Sequence, residues 1–458
     1  MKNLYEHLKK YSEEEYYAFH MPGHKRNKLV PAELPYEIDI TEIGDFDDLH
    51  HATGILKEKM KRAARVYHAE DTHFLINGST VGILSAIMGS TKKGDKILVA
   101  RNCHKSVYNA IFLNELKPVY LHPSYDGELQ ISGEIKAEDI KKSLNEQKDT
   151  KAVVIVSPTY DGVVSDIEAI AKVVHEKNIL LIVDEAHGAH FGFHPYFPKN
   201  ANMLGADIVI HSLHKTLPAL TQTALLHMNG KLVNRERVQN YLQMLQSSSP
   251  SYILLASIDS CVEFLEKAGT KAFEEYVEKL KQVRAKLKRL KHLQLLEVSN
   301  YDYSKIVIGV NHSNITSKEL YSRLEKEFRL QFEMAAGAYV LAMTSVADTK
   351  EAYVKLCQAL EEIDQELCAK EYVYKLGSMP MTERATEIVG KRKSIALEDS
   401  IGKISAQMAY IYPPGIPIIV EGEIISKEVV SYLRGHEELG FTIEGCKRRN
   451  EIEVWIDG

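Results

Sequence analysis

The chain has 458 residues, enough for two or three domains, and its 45% hydrophobic and 26% charged content is that of an ordinary globular protein. A formal net charge of -6 leaves no electrostatic case for a nucleic-acid partner. No apolar run approaches the ~20 residues that span a bilayer. The five cysteines (Cys103, Cys261, Cys357, Cys368, Cys446) are scattered without CxxC spacing, and the start Met1-Lys2-Asn3-Leu4 is polar. Both features lead us to expect a cytoplasmic protein.

In chain order, residues 1–18 predict a short amphipathic helix with Leu4, Leu8 and Tyr11 at helical spacing. The stretch Phe19-His20-Met21-Pro22-Gly23-His24-Lys25 marks a turn flanked by two histidines. Residues 39–54 are acidic and aromatic without a period. They read as a solvated loop, or more sharply as a loop that helps enclose a cationic ligand. Apolar strand-like runs at 74–76, 96–100, 119–121, 153–156, 179–183 and 208–210 then alternate with helical patterns such as Ile83, Leu84, Ile87, Met88 and Ile167, Ile170, Val173, Val174. This alternation predicts βαβ units and a mainly parallel sheet. Residues 270–292 predict a helix with a solvated basic face. A smaller α+β unit begins at 306–310 and continues with a helix at 320–328, a strand at 339–343 and a helix at 350–368. A further segment follows, with a Pro413-Pro414-Gly415 turn and a strand at 418–420. The expected division is an arm with loops near the site (1–60), a large domain (61–300), a small α+β domain (301–370) and a carboxy-terminal domain (371–458).

Ligands of parallel sheets sit at the carboxyl ends of strands, and His104, Thr159, Asp184 and Lys215 all fall just past predicted strand ends. Lys215 lies in Ser212-Leu213-His214-Lys215-Thr216. Desolvation there would lower its pKa, and a neutral amine is a nucleophile. The plainer alternative is a snorkelling lysine at a strand end. Asn77-Gly78-Ser79-Thr80 opens a helix, which makes either an anion cradle or an ordinary Ser/Thr cap. A lysine nucleophile, an acid, an imidazole and a phosphate cradle together match the needs of pyridoxal 5'-phosphate. Lys215 supplies the amine, Asp184 the pyridinium partner, Ser79 and Thr80 the anchor, and His104 a ring-stacking face. Two rivals fit less well. Asp184-Glu185-Ala186-His187 spells the DEAH of helicase-type NTPases, but no GxxxxGK[ST] loop accompanies it. A zinc site at His187, His190 and His194 is interrupted by Gly188 and Gly192, so no metal is expected.

The chain resembles the bacterial Orn/Lys/Arg decarboxylase family, of aspartate-aminotransferase-like (fold type I) architecture. The matching strings are HMPGHK (20–25), TEIGDFDDLHHATG (41–54), NGSTVG (77–82), RNCHKS (101–106), SPTYDG (157–162), DEAHG (184–188), HSLHKTLPA (211–219), SSSPSY (247–252) and YPPGIP (412–417). The resemblance implies an α/β large domain with a mainly parallel sheet and a smaller α+β carboxy-terminal part. It makes Lys215 the Schiff-base lysine and Asp184 the ring-nitrogen partner. Ser79, Thr80, Ser212 and His214 would hold the phosphate, His104 would stack on the ring and His187 would sit beside it. Ser248 would come from a second copy, so the active site is expected at the interface of a homodimer or higher homo-oligomer. The YPPGIP region is expected to form a lid. The chain looks like the short form without an amino-terminal wing domain, and Gln407 stands where many relatives carry an acid.

The expected reaction is decarboxylation of a basic amino acid: arginine to agmatine first, then lysine to cadaverine, then ornithine to putrescine. Lys215 or His214 would return the proton, and Glu333 and Asp48 are candidates to face the distal cation of the substrate. The alternatives are a fold type I aminotransferase and a catalytically silent regulator that binds the cofactor.

Overall fold

The computed structural model describes residues 3–14, 34–127, 131–370, 380–385, 390–411, 415–446, 448 and 450–456. The histidine-flanked turn at 20–25 and residues 412–414 of the proline-rich turn lie outside the described residues.

Runs such as Val153, Val154, Ile155 and Leu181, Ile182, Val183 are apolar on both faces and almost wholly buried, as strands covered by helices on each side must be. They build a seven-stranded sheet. Its order is Asp71–Leu75, Ala224–Met228, Ile208–His211, Leu180–Asp184, Thr150–Val156, Lys96–Ala100, Lys117–Leu121. Ala224–Met228 runs antiparallel to both its neighbours, and the other pairings are parallel. Val156 pairs with Asp184, and Asp184 with Ile210, so the carboxyl ends of three central strands share one edge.

Several elements differ from the sequence expectation. The first helix is Leu4–Glu13, capped by Asn3 and seated through buried Leu4 and Leu8. The basic helix is Gly269–Leu287. The helices Ile55–Val66, Arg235–Leu245 and Tyr252–Lys267 and the strand Ala224–Met228 were not anticipated. The acidic loop has a local task. Asp47 accepts the backbone N–H groups of Thr53, Gly54 and Leu56 at 3.0, 2.8 and 3.0 Å and so fixes the start of Ile55–Val66. Burial pushes its carboxyl up, but those N–H donors outweigh burial and hold it below the usual range.

A four-stranded antiparallel sheet follows, in the order Gln294–Leu295, Lys305–Gly309, Tyr339–Met343, Met334–Ala336. The carboxy-terminal part carries a five-stranded and a three-stranded sheet around its own apolar cluster, which includes Leu397, Ile419, Val429, Leu433 and Ile452.

This part is held to the large sheet by Arg101, which stands just past the strand Lys96–Ala100 and is fully buried. Its guanidinium donates to Pro417 O at 2.6 Å, Ile418 O at 2.9 Å and Glu423 Oε2 at 3.1 Å. The Tyr108 and Tyr120 rings lie 5.4 and 5.3 Å from it. Removing one member of a buried pair strands the other charge and typically costs about 3–5 kcal/mol. Arg101→Met is therefore expected to destabilise the chain by about that amount, read as a lower urea midpoint. The loss should shrink when Glu423→Gln is added, and equal losses in the single and double variants would disprove the coupling.

Candidate active site

The strand Ile208–His211 delivers Ser212 and then one short turn of helix, Leu213–Thr216. That turn carries the Lys215 amine into a cavity of about 330 Å³ lined also by Ser79, Asn102, His104, Tyr160, Asp184, His187, His214, Glu333 and Ile416. Lys215 Nζ lies 2.9 Å from His187 Nε2. Burial lowers the Lys215 pKa, and the carboxylates of Asp184 and Glu333 oppose that.

Asp184 ends its strand fully inside the protein and accepts the Ala186 N–H at 3.1 Å. Burial raises its pKa, against the Lys215 cation, the Ala186 N–H and His211. His104 caps the helix Lys105–Leu113, its Nδ1 accepting the Ser106 N–H at 3.3 Å. Burial, then the Lys215 and Lys105 cations, push its pKa down to about 4. His214 donates from Nδ1 to Thr223 O at 2.9 Å, and burial is the main cause of its lowered pKa. Burial and the Lys215 and Lys305 cations hold His187 well below the usual imidazole range.

The helix Gly78–Ser90 opens without a side-chain cap, so the reading of an ordinary Ser/Thr cap fails; the Gly78 N–H donates instead to Gln222 O at 2.9 Å. Gly78 has φ +72, a conformation that glycine adopts without strain. Ser79 lines the cavity, while Thr80 is exposed beside it. The Ser212 hydroxyl is fully buried without a hydrogen-bond partner among the described residues. An orphaned buried hydroxyl costs free energy, and it stands at the base of the Lys215 turn.

Other sequence candidates land elsewhere. Thr159 sits outside the cavity, and its hydroxyl accepts the Val163 N–H at 3.0 Å. Its neighbour Tyr160 is the residue that enters, hydrogen-bonding Glu333. Asp48 and Ser248 do not line the cavity. Asp48 is half-exposed, accepting the His50 N–H at 2.8 Å and contacting His51 Nδ1 at 3.0 Å. Ser248 is exposed. Their loops touch, with His50 Nε2 2.8 Å from Ser247 O, and the Ser247 N–H reaches Asn77 Oδ1 at 3.2 Å. Gln407 is turned away from the cavity, donating to Cys446 and accepting the Glu453 N–H. His190 pairs with Asp302 at 3.0 Å and His194 Nδ1 accepts the Tyr196 N–H, so these imidazoles diverge from His187. Among the described residues no group of three or more His, Cys, Asp or Glu is placed to hold a metal ion. Sequence reasoning missed Asn102, Tyr160 and, behind His187, the buried Lys305. Lys305 is the charged residue at the head of an otherwise apolar strand, and that was its only signal.

A lysine and a buried acid at adjoining strand ends of this sheet define an aspartate-aminotransferase-like α/β protein. The Orn/Lys/Arg decarboxylase major domain matches residues 2–321, and the Orn/Lys/Arg decarboxylase C-terminal domain matches residues 365–449. The chain belongs to the Orn/Lys/Arg decarboxylase family, whose members are pyridoxal-phosphate-dependent carboxy-lyases. An arginine decarboxylase of Bacillus subtilis is 33% identical over 465 residues, spanning 96% of this chain and 95% of its own. The structure is similar to a lysine decarboxylase of Francisella novicida, with a TM-score of 0.85, 21% identity, and coverage of 99% of this chain and 81% of that one. It also resembles an alanine–glyoxylate aminotransferase of Nostoc sp., with a TM-score of 0.57, 13% identity, and coverage of 75% of this chain and 99% of that one. Among the described residues no helix is long and apolar enough to cross a membrane.

The depressed His104 pKa has a measurable sign. Between about 4 and the unperturbed 6.5 the unfolded chain binds more protons at this site than the folded one. Stability therefore falls as pH drops through that window. The urea midpoint of wild type should fall relative to that of His104→Gln between pH 7 and pH 4, and parallel curves would show that His104 is not held neutral.

Proposed function

We propose that this chain decarboxylates a basic L-amino acid, arginine before lysine or ornithine, with pyridoxal 5'-phosphate held on Lys215. The observation that carries this reading is the convergence of the Lys215 amine, buried Asp184, Ser79, His104 and His187 on one cavity, with the partnerless Ser212 hydroxyl at the base of the Lys215 turn. The residues present fit the cofactor. Ser212, Ser79, Thr80 and His214 would hold its phosphate, Asp184 would face its ring nitrogen, and His104 and His187 would flank the ring. Bound there, pyridoxal phosphate supplies an aldehyde for the amine and a ring that accepts the electron pair of the broken bond.

The chain's own groups do the rest. Lys215, whose pKa burial lowers, acts as nucleophile and returns a proton, and His214 is the second candidate for that proton. His104, held neutral, adds no cation beside the ring. Glu333, with its Tyr160 partner, offers a carboxylate to the distal cation of the substrate. No arginine lines the cavity among the described residues. Asp48 and Ser248 lie on touching loops beside Asn77, and we assign both to the surface where two copies of the chain meet, with Ser248 reaching the phosphate of the second copy. The resemblance to the 33% identical arginine decarboxylase supports arginine as substrate. The scattered, unpaired cysteines support the cytoplasm as the place of action.

Two outcomes test this reading. Lys215→Ala should lose both the absorbance of the lysine-linked cofactor and carbon dioxide release from arginine, lysine and ornithine, and retention of both would refute the assignment. Glu333→Gln should raise KM for arginine roughly tenfold, the worth of one hydrogen bond to a charged group. An unchanged KM would move the distal site elsewhere, and keto-acid product in place of agmatine would reveal an aminotransferase.

A further inference from the structure

Lys305 heads the strand Lys305–Gly309 with 0% exposure, outside the cavity lining. Its Nζ lies 3.2 Å from His187 Nδ1, while His187 Nε2 lies 2.9 Å from Lys215 Nζ. One imidazole therefore bridges two buried amines. Among the described residues it is the only hydrogen-bond partner of the Lys305 side chain. The fold makes room for this arrangement at Gly162, the last residue of the SPTYDG string. Gly162 has φ +108, and a Cβ there would fall 2.8 Å from Lys305 Cγ. A side chain is absent where the stem of Lys305 passes.

We propose that Lys305 is a proton store for the reaction and that His187 passes its proton to the Lys215 amine. The inference rests on the reading of Lys215 as the cofactor lysine. Decarboxylation of an α-amino acid consumes one proton, which takes the place of carbon dioxide on the α-carbon. In the transfer an N–H bond of the Lys305 ammonium breaks as one forms at His187 Nδ1. The N–H at Nε2 breaks as one forms at Lys215 Nζ, so the imidazole exchanges tautomers and starts and ends neutral. Lys215 then holds the proton bound for the α-carbon, and Lys305, left as a free amine, is reloaded from water between turnovers.

The surroundings suit these roles. The charged groups facing Lys305 are Asp302, Lys215, Glu333 and Asp161, and burial leads in bringing its pKa down to about 8, near enough to neutrality to give and regain a proton. The groups facing His187 are Lys215, Lys305, His104, His214 and the Tyr160 ring, whose centroid lies 4.5 Å away, and burial with the charged neighbours keeps it uncharged, as a wire must be. Lys305 touches no reacting atom, so it is a positioning residue.

The test uses Lys305→Met, which keeps length and removes the proton. Borohydride reduction of the enzyme with pyridoxal phosphate, followed by peptide mass analysis, should mark the Lys215 peptide in both proteins. With that label present, Lys305→Met should lower kcat ten- to hundredfold, within the range of general acid catalysis, while KM changes less than twofold. The solvent deuterium isotope effect on kcat should rise. A larger share of turnovers should end in aldehyde rather than amine, because the late proton goes to the wrong atom. In the cofactor-free protein labelled with ¹⁵N-histidine, the His187 ring nitrogens should shift as Lys305 titrates, and Lys305→Met should abolish that step.

His187→Phe breaks the bridge by itself and should reproduce the isotope and aldehyde effects, with no further loss in the double variant. Should Lys305→Met not fold, those readouts on His187→Phe decide. A labelled Lys215 with unchanged kcat, isotope effect and aldehyde share overturns the relay and leaves the cofactor assignment standing. Absence of label on wild-type Lys215 overturns both.

Discussion

The cost of keeping an ammonium out of water governs the pocket. Lys215 is partly buried at the cavity, and its close polar contact is an uncharged imidazole rather than a carboxylate. Asp184 and Glu333 act on it electrostatically and favour its charged form, while burial favours the neutral one. A salt bridge at full contact would have fixed the proton on the amine. The net effect lowers the cost of losing that proton, which helps a group that must attack a carbonyl and also move protons.

That balance depends on where two strand ends fall, and their register is keyed from behind. Thr72 Oγ1 lies 2.7 Å from His227 Nδ1, His227 Nε2 2.9 Å from His211 Nδ1, and His211 Nε2 2.6 Å from Glu185 Oε2. All four residues are buried, so the chain of bonds crosses the strands Asp71–Leu75, Ala224–Met228 and Ile208–His211 and ends on the residue after Asp184. A slip of one residue would break several buried hydrogen bonds at once. His211 and Glu185, read in the sequence as parts of motifs around Lys215 and Asp184, thus serve the position of those two residues from the opposite side.

The parts of the site that were legible in the sequence share a physical signature. Lys215, Asp184 and His104 each lie within a few residues of a short, mostly apolar run, and such runs identify themselves as buried parallel strands. The sequence was mute where the site draws on other elements. Lys305 opens a strand of a different sheet, 118 residues from the imidazole it meets, and a lysine before an apolar run looks like any strand boundary. Thr159 and Tyr160 are neighbours in one turn, and only the three-dimensional path decides which enters the cavity. The unanticipated helix Tyr252–Lys267 is buried along much of its length and hides a carboxylate, Asp259, paired with Arg62. A polar residue inside an apolar pattern blurs the period from which helices are recognised. Asp48 and Ser248, placed in the site by resemblance, lie outside the cavity of their own chain.

Arg101 sits one residue before Asn102 and three before His104, both of which face the cavity, while its guanidinium grips the backbone at Pro417 and Ile418, next to Ile416 in the cavity wall. One side chain thus staples floor to roof. The cavity is walled from three sides in the chain: the strand ends of the large sheet, Glu333 and Met343 from around the four-stranded sheet, and Ile416 from the carboxy-terminal part. A lineage remodelling the carboxy-terminal part around residues 416–418 would therefore be reshaping the wall of its reaction chamber, even with every group that meets the substrate left untouched.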